Sequence, residues 1–253
     1  MIEFVDVATA KTRTDLRVVV SGLVPSPWSE AAKGLFRLAQ VPIVAVRASP
    51  RDGELAAWTG IDNVPVVLHG TEPARSNWAA IVALVSRLAP GAVLPDDPSA
   101  RADAMGLVEL IAGEGGLGWN ARLSMIHEGI ATNGARGFGQ PVAGYLAARY
   151  GYAPEAAPRL HERVAAQLAH LASRLAGRDY FGGDRPNAVD VYTATFLTPL
   201  FPIADADCPK LSPRLRAAFG AAAEVLGPLV PRELAALRAD VRAASRVADR
   251  IVT

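Results

Sequence analysis

The sequence is short of the side chains that build most reactive centres. Cys208 is the one cysteine in 253 residues. That excludes an intrachain disulfide and the Cys-x-x-Cys pair of a dithiol redox enzyme. It sits in the loop Asp205-Ala206-Asp207-Cys208-Pro209 and is read as a free structural thiol. The four histidines, His69, His127, His161 and His170, lack metal-ligand spacing, and His127-Glu128 does not extend to His-Glu-x-x-His, so no metal is expected. An excess of one charge is also missing. The 26 Lys and Arg face 25 Asp and Glu, a net charge of +1 with no basic block. Nothing therefore recruits nucleic acid or an anionic membrane by charge. No apolar stretch reaches the ~18 residues needed to cross a bilayer. Residues 1–14 scatter Glu3, Asp6, Lys11 and Arg13 among short apolar pieces and are not read as a signal peptide. A reducing, cytoplasmic setting is the expectation.

What is present is a chain with 51% hydrophobic residues, ample for a large core. Residues 16–21 are a β-branched run that predicts a buried strand. Ser26-Pro27 then matches a helix N-cap with proline at the first helical position. Residues 28–40 carry Ala32, Leu35, Phe36 and Ala39 on one helical face, and 42–46 predict a second strand. Strand, helix, strand implies a parallel pair with a right-handed crossover. A short helix over 51–60 and a third strand over 64–69 follow, the latter opened by Pro65, which cannot donate to a ladder. Ser76 is the expected cap of a helix running to Leu88.

Residues 90–98 hold three prolines and predict a linker. No strand is expected after it. Helices are predicted over 99–112, with Ser99 as cap, and over 119–131, 140–150, 154–175, 187–200, 213–226 and 231–251. Leu160, Val164, Leu168, Leu171 and Leu175 form one apolar stripe, whereas 187–200 is apolar on almost every side and should be fully buried. Asn187 and Asp190 have capping-box spacing, a structural role for the acid. The division is therefore an α/β unit at 1–89, a linker at 90–98 and an all-helical unit at 99–253.

Three segments carry a resemblance. Ser26-Pro27-Trp28-Ser29 opening an apolar helix, Asn63-Val64-Pro65-Val66-Val67, and Gly183-Asp184-Arg185-Pro186-Asn187-Ala188-Val189-Asp190 together resemble the glutathione S-transferase superfamily. The resemblance implies a thioredoxin-like α/β domain followed by an all-α domain, a cis Val64–Pro65 bond, glutathione as co-substrate and a homodimer. Residues 1–15 and 113–119 have no counterpart in it. It also implies that the backbone of Val64 pairs with the cysteinyl part of glutathione. Where the family has Glu-Ser before its third helix, this chain has Arg75-Ser76. Ser76 and the helix start can still receive a carboxylate. Arg75 is expected either to add a bidentate contact to that carboxylate, or to point to solvent or pair with Glu72 or Asp62.

Ser26 is the candidate for chemistry. A thiol with a pKa of ~8.5 is mostly protonated at neutral pH, and lowering it by ~2 units takes ~2.7 kcal/mol. A hydroxyl donor and a helix N-terminus can supply that. The alternative is that Ser26 only caps its helix. Ser29, one turn inside, is the poorer candidate. Gly113-Glu114-Gly115-Gly116-Leu117-Gly118 matches G-x-G-x-x-G, but it follows a helical segment where no strand is expected, so it is read as a loop or helix break rather than a dinucleotide site. Trp28, Trp119, Arg122 and His127 are the candidate lining of a second-substrate pocket, with ordinary packing or surface as the alternative. The expected function is a glutathione-dependent transferase, or a lyase or isomerase using glutathione. The alternative is a non-catalytic protein of the same fold binding a small carboxylate or thiol.

Overall fold

A computed structural model describes residues 1–22, 24–48 and 53–250. Its sheet has four strands, β1 (Ile2–Phe4), β2 (Arg17–Ser21), β3 (Ile43–Ala48) and β4 (Val66–Leu68), in the order β1-β3-β2-β4. The two pairs β1–β3 and β2–β3 are parallel; β4 runs antiparallel to β2. The centre of β2, Val18–Val20, is apolar on both sides because both faces of the strand are covered. Val18 and Val20 join the core beneath the helices α2 (Pro27–Leu38) and α4 (Trp78–Leu88), while Val19 packs on the other face with Val46, Val66 and Leu55 of α3 (Gly53–Thr59).

β1 and α1 (Val7–Thr12) lie in the segment for which no element was expected. Three and six residues are too few to show a period. They are held by context: Ile2–Phe4 pairs with Ile43–Ala45, and the Asp6 side chain accepts the Thr9 N–H at 2.7 Å to cap α1.

The helical half comprises α5 (Pro98–Ala112), α6 (Leu117–Ala131), α7 (Gln140–Tyr150), α8 (Leu160–Leu175), α9 (Ala188–Leu197), α10 (Pro213–Leu226) and α11 (Arg232–Arg250). Among the described residues no strand follows β4, and no helix is long and apolar enough to cross a membrane. Several boundaries differ from expectation. Asp97, not Ser99, caps α5 by accepting from Ala100 N–H at 2.8 Å, and Asn77, not Ser76, caps α4 by accepting from Ala79 N–H at 2.8 Å. The helix expected over 154–175 is a 3₁₀ segment, Pro154–Arg159, followed by α8. Pro158 has no N–H to offer a longer α-helix. Arg51, Asp52 and Ile251, included in expected helices, lie outside the described residues.

α9 is the centre of the molecule, packed by α2, α5 and α11. Asp190 is fully buried and accepts N–H bonds from Phe181 at 2.8 Å, Asn187 at 2.7 Å and Gly182 at 3.4 Å, completing the capping box. Burial pushes its carboxyl up to about 6, against the pull of those N–H groups. Gly34 of α2 is required here, since a Cβ would come within 2.6 Å of Val191 Cγ1. The segment read as a linker is itself packed. Val93 and Leu94 are buried, and Ala188 N–H donates to the Val93 carbonyl at 2.8 Å.

Candidate functional site

Strand register brings three chain segments to one end of the sheet. Arg17, Val18 and Val19 pair with Leu68, Val67 and Val66, so β2 leaves the sheet where β4 enters it. The turn that leads to Ser26 and α2 therefore starts at the end occupied by Val64 and Pro65. Their peptide bond is cis. Val67 and Arg75 then form a single antiparallel bridge, which sends Ser76 and the start of α4 back toward that same end. Two helix N-termini, α2 and α4, thus converge beside the Val64 backbone. Such ends carry free N–H groups and partial positive charge, the features that hold a carboxylate or a thiolate.

Ser26 occupies the N-cap position of α2, with φ −69° and ψ 121°, yet its hydroxyl makes no capping bond. Pro27 removes one N–H that would otherwise need a partner. Among the described residues the Ser26 hydroxyl has no hydrogen-bond partner, and the residue is half-buried. Ser29 is spent: it is fully buried and its Oγ accepts the Ser21 N–H at 3.1 Å. Ser76 precedes the cap residue Asn77 and is half-buried. The Val64 N–H goes to the neighbouring Asn63 side chain at 2.9 Å.

Arg75 does not face this end. Its guanidinium pairs with Glu72, and Nη1 donates to the Pro73 carbonyl at 3.2 Å. Glu72 also receives Arg87, at 2.6 and 2.7 Å, and His69 Nδ1 at 2.8 Å. Arg87, then His69 and Arg75, hold the Glu72 carboxyl down at about 2. Arg87 belongs to the last turn of α4, so Arg75 is turned toward the C-terminal end of that helix, away from its start. Of the two expectations for Arg75, a ligand contact and a pairing with Glu72, the geometry is that of the pairing.

The helical half closes over the site through aromatic rings. Trp28, in the first turn of α2, donates its indole N–H to the Ala112 carbonyl at 3.0 Å and sets its ring edge-on to Phe196 at 4.8 Å. Ala112 ends α5, and the glycines that follow permit the sharp step into α6. A Cβ at Gly118 would meet Phe196 at 2.3 Å, and one at Gly116 would meet the Leu110 carbonyl at 2.7 Å. The glycine-rich segment is thus a helix break beside Trp28. On α6, Trp119 packs its ring against Tyr150 at a tilt of 51°, 4.5 Å between centroids, and Tyr150 also reaches Trp28 at 6.4 Å. Arg122 stands among them, its guanidinium carbon 5.9 Å from the Trp28 ring, 5.7 Å from Tyr150 and 5.6 Å from Phe138. At the end of α7, Arg149 donates to the Asp62 carbonyl at 3.4 Å, two residues before Val64. A cavity of about 230 Å³ is lined by Trp119 and Tyr150 together with Asn120, Tyr152 and Leu160.

Residues 154–225 match the family described as glutathione S-transferase, C-terminal domain. Among solved structures, the chain superposes on the Tau class glutathione S-transferase of mango, Mangifera indica, with TM-score 0.51 and 19% identity over 88% of this chain and 96% of that one. The β-etherase LigF of Sphingobium sp. strain SYK-6 gives 0.58 and 14% over 82% and 99%. A glutathione transferase homologue from Sulfitobacter, with bound glutathione, gives 0.54 and 16% over 90% and 99%. The chain has the glutathione S-transferase fold. No curated protein matches the sequence.

Within this glutathione S-transferase fold, Ser26, Val64, Pro65 and Ser76 come to one end of the sheet, and Trp28, Trp119 and Arg122 form one cluster. Tyr150, Phe138 and Arg149 were not foreseen. Tyr150 ends α7 before Gly151, and nothing in its local sequence signals that α7 returns to the sheet domain. Three of the four histidines are engaged elsewhere: His69 with Glu72, His127 with the Tyr152 hydroxyl at 2.8 Å, and His161 with Ser124 at 3.0 Å. Among the described residues no three His, Cys, Asp or Glu side chains gather as a metal site. Cys208 is half-buried, and its carbonyl accepts from Arg216 at 2.7 Å.

Proposed function

We propose that the protein binds glutathione at the end of the sheet where α2 and α4 begin and uses its thiolate on a small second substrate. The reaction is a transferase step, or a lyase or isomerase step of the same chemistry. The observation that carries this is the Ser26 hydroxyl, uncommitted at the start of a twelve-residue helix. It is free to donate to a thiolate, with the helix dipole adding to the effect. The Val64 backbone would align the tripeptide, giving up the short-range bond to Asn63, and Ser76 with the start of α4 would hold a carboxylate. The glutathione bound to the Sulfitobacter homologue, a chain of the same fold, supports the choice of thiol. The reading includes a two-fold dimer, and sedimentation should then give a species of twice the 26.5 kDa chain. Calorimetric titration of wild type and Ser26→Ala with reduced glutathione tests the reading, and absence of binding to wild type ends it.

A non-catalytic binding protein is the second reading. It is favoured by Arg75, which stands where the resemblance expects the glutamate that would meet the γ-glutamyl amine and is itself tied to Glu72. Retention on immobilised glutathione without turnover of an aromatic halide would select it.

A further inference from the structure

The geometry points to an aromatic carboxylate as the class of second substrate, bound with its anion on Arg122. This rests on the reading of the cleft as a two-substrate site, although the binding step can be tested without glutathione. Arg122 projects from α6 into a wall of rings, Trp28, Phe138 and Tyr150, with its guanidinium carbon 5.6 to 5.9 Å from each centroid. It is half-buried, and among the described residues no carboxylate, carbonyl or hydroxyl takes any of its N–H groups. Every neighbour one turn away on α6, Gly118, Trp119, Met125 and Ile126, lacks a charge. The arrangement differs from that of seven other arginines. Arg13, Arg75, Arg87, Arg136, Arg174, Arg216 and Arg242 each meet an Asp or Glu.

A half-buried guanidinium without protein acceptors gives up part of its hydration for no hydrogen bond in return. Aromatic faces repay part of that through cation–π attraction, but they accept none of the five N–H donors. The remaining need is for a planar anion, which matches the guanidinium fork in a bidentate pair. Of the rings that hold Arg122, Trp28 and Tyr150 are partly exposed and offer stacking surface for a flat apolar body. Position separates this role from the thiol site. Arg122 stands on the helical half, across from Trp28, whereas Ser26, Val64 and Ser76 belong to the sheet half. An acceptor whose carboxylate rests on Arg122 would lie against the Trp28 indole, two residues from Ser26 at the start of α2.

Quenching of tryptophan fluorescence supplies the readout, because Trp28 and Trp119 border the site. Wild type, Arg122→Met and Arg122→Lys are titrated with 4-nitrobenzoate and with its neutral counterpart, 4-nitrobenzamide, each with and without saturating reduced glutathione. Wild type should bind the acid about 10-fold or more tightly than the amide, the worth of a charge-assisted pair. Arg122→Met keeps the stem of the side chain and should bind both probes alike, with the amide affinity unchanged; Arg122→Lys should retain part of the preference. Equal affinity of wild type for the two probes overturns the inference whatever the variants do, as does an acid preference that survives in Arg122→Met. If the acid preference is found and glutathione does not bind, the anion site stands and the thiol reading falls. If glutathione binds and no preference appears, the reverse holds.

Discussion

The indole N–H of Trp28 donates to the Ala112 carbonyl at 3.0 Å, joining the first turn of α2 to the last residue of α5. This one bond crosses from the sheet half to the helical half at the point where the two enclose the site. Ala112 is buried, so its carbonyl has no water to fall back on once the indole is gone. Trp28→Phe should cost about 1–2 kcal/mol, the hydrogen bond with its stranded acceptor, while keeping a ring against Phe196. Trp28→Ala should cost about 2–4 kcal/mol by losing the packing as well. Urea unfolding of the three proteins measures both. Equal stability of wild type and the Trp28→Phe variant would mean that the bond contributes nothing across the cleft.

Ser26 makes no capping bond, so its removal should leave the fold almost untouched. Ser26→Ala should change unfolding free energy by less than about 0.5 kcal/mol, against the ~1 kcal/mol expected of a working cap. The same change should raise the pKa of bound glutathione thiol by about 1 unit or more, one charge-assisted hydrogen bond. Thiolate absorbance near 240 nm, followed against pH, reads that shift. A stability loss with no thiol shift would return Ser26 to the status of a structural cap.

Arg75 is engaged with Glu72, one of three groups that hold that carboxylate. Arg75→Ala should therefore leave glutathione affinity unchanged and cost about 0–1 kcal/mol of stability, since the surviving partners still hold an accessible Glu72. A loss of affinity of about 10-fold, roughly 1.4 kcal/mol, would place the guanidinium in the ligand site after all.

Asp190 gives a pH signature. Its carboxyl ordinarily titrates at 3.8 and is pushed up to about 6 in the fold by burial. Between these values the folded chain keeps a proton that the unfolded chain has released, so stability falls as pH rises through that window. The fall should approach ~3 kcal/mol, from ~1.4 kcal/mol per unit of pKa difference. Glu72 acts oppositely. Held down at about 2, it contributes stability above its ordinary 4.5 that is lost as pH falls toward 2. Comparing wild type with Asp190→Asn cancels Glu72 and isolates Asp190. Wild type should lose ground to the variant as pH rises from about 4 to about 6.5, and parallel pH profiles would refute the shift.

Local pattern carried a large part of this protein. The β-branched run of β2, the apolar stripe of α8 and the all-round apolar α9 announce strand, surface helix and central helix, because a residue's exposure follows the period of its own element. The capping box of Asn187 and Asp190 is likewise visible, since both of its partners lie within four residues. Short elements were invisible for the opposite reason. β1 and α1 hold too few residues to express a period and exist because β3 offers a free edge. The caps of α4 and α5 slipped by one and two residues, as adjacent Ser, Asn and Asp have similar capping strength and backbone geometry chooses among them.

For the site, the sequence by itself determined which residues were worth attention: Ser26 before Pro27, Val64 before Pro65, Ser76 near a helix start, and Trp28, Trp119 and Arg122. Their roles were decided by the tertiary structure. Strand register, a long-range property, brings Ser26, Val64 and Ser76 to one end of the sheet, and the Val67–Arg75 bridge turns the chain so that Arg75 reaches Glu72. The surroundings of Arg122 come from α2, α7 and the loop before α7, segments up to 94 positions away in the chain. No local pattern encodes them, because an arginine's partners are set by where helices cross and not by what lies beside it in sequence.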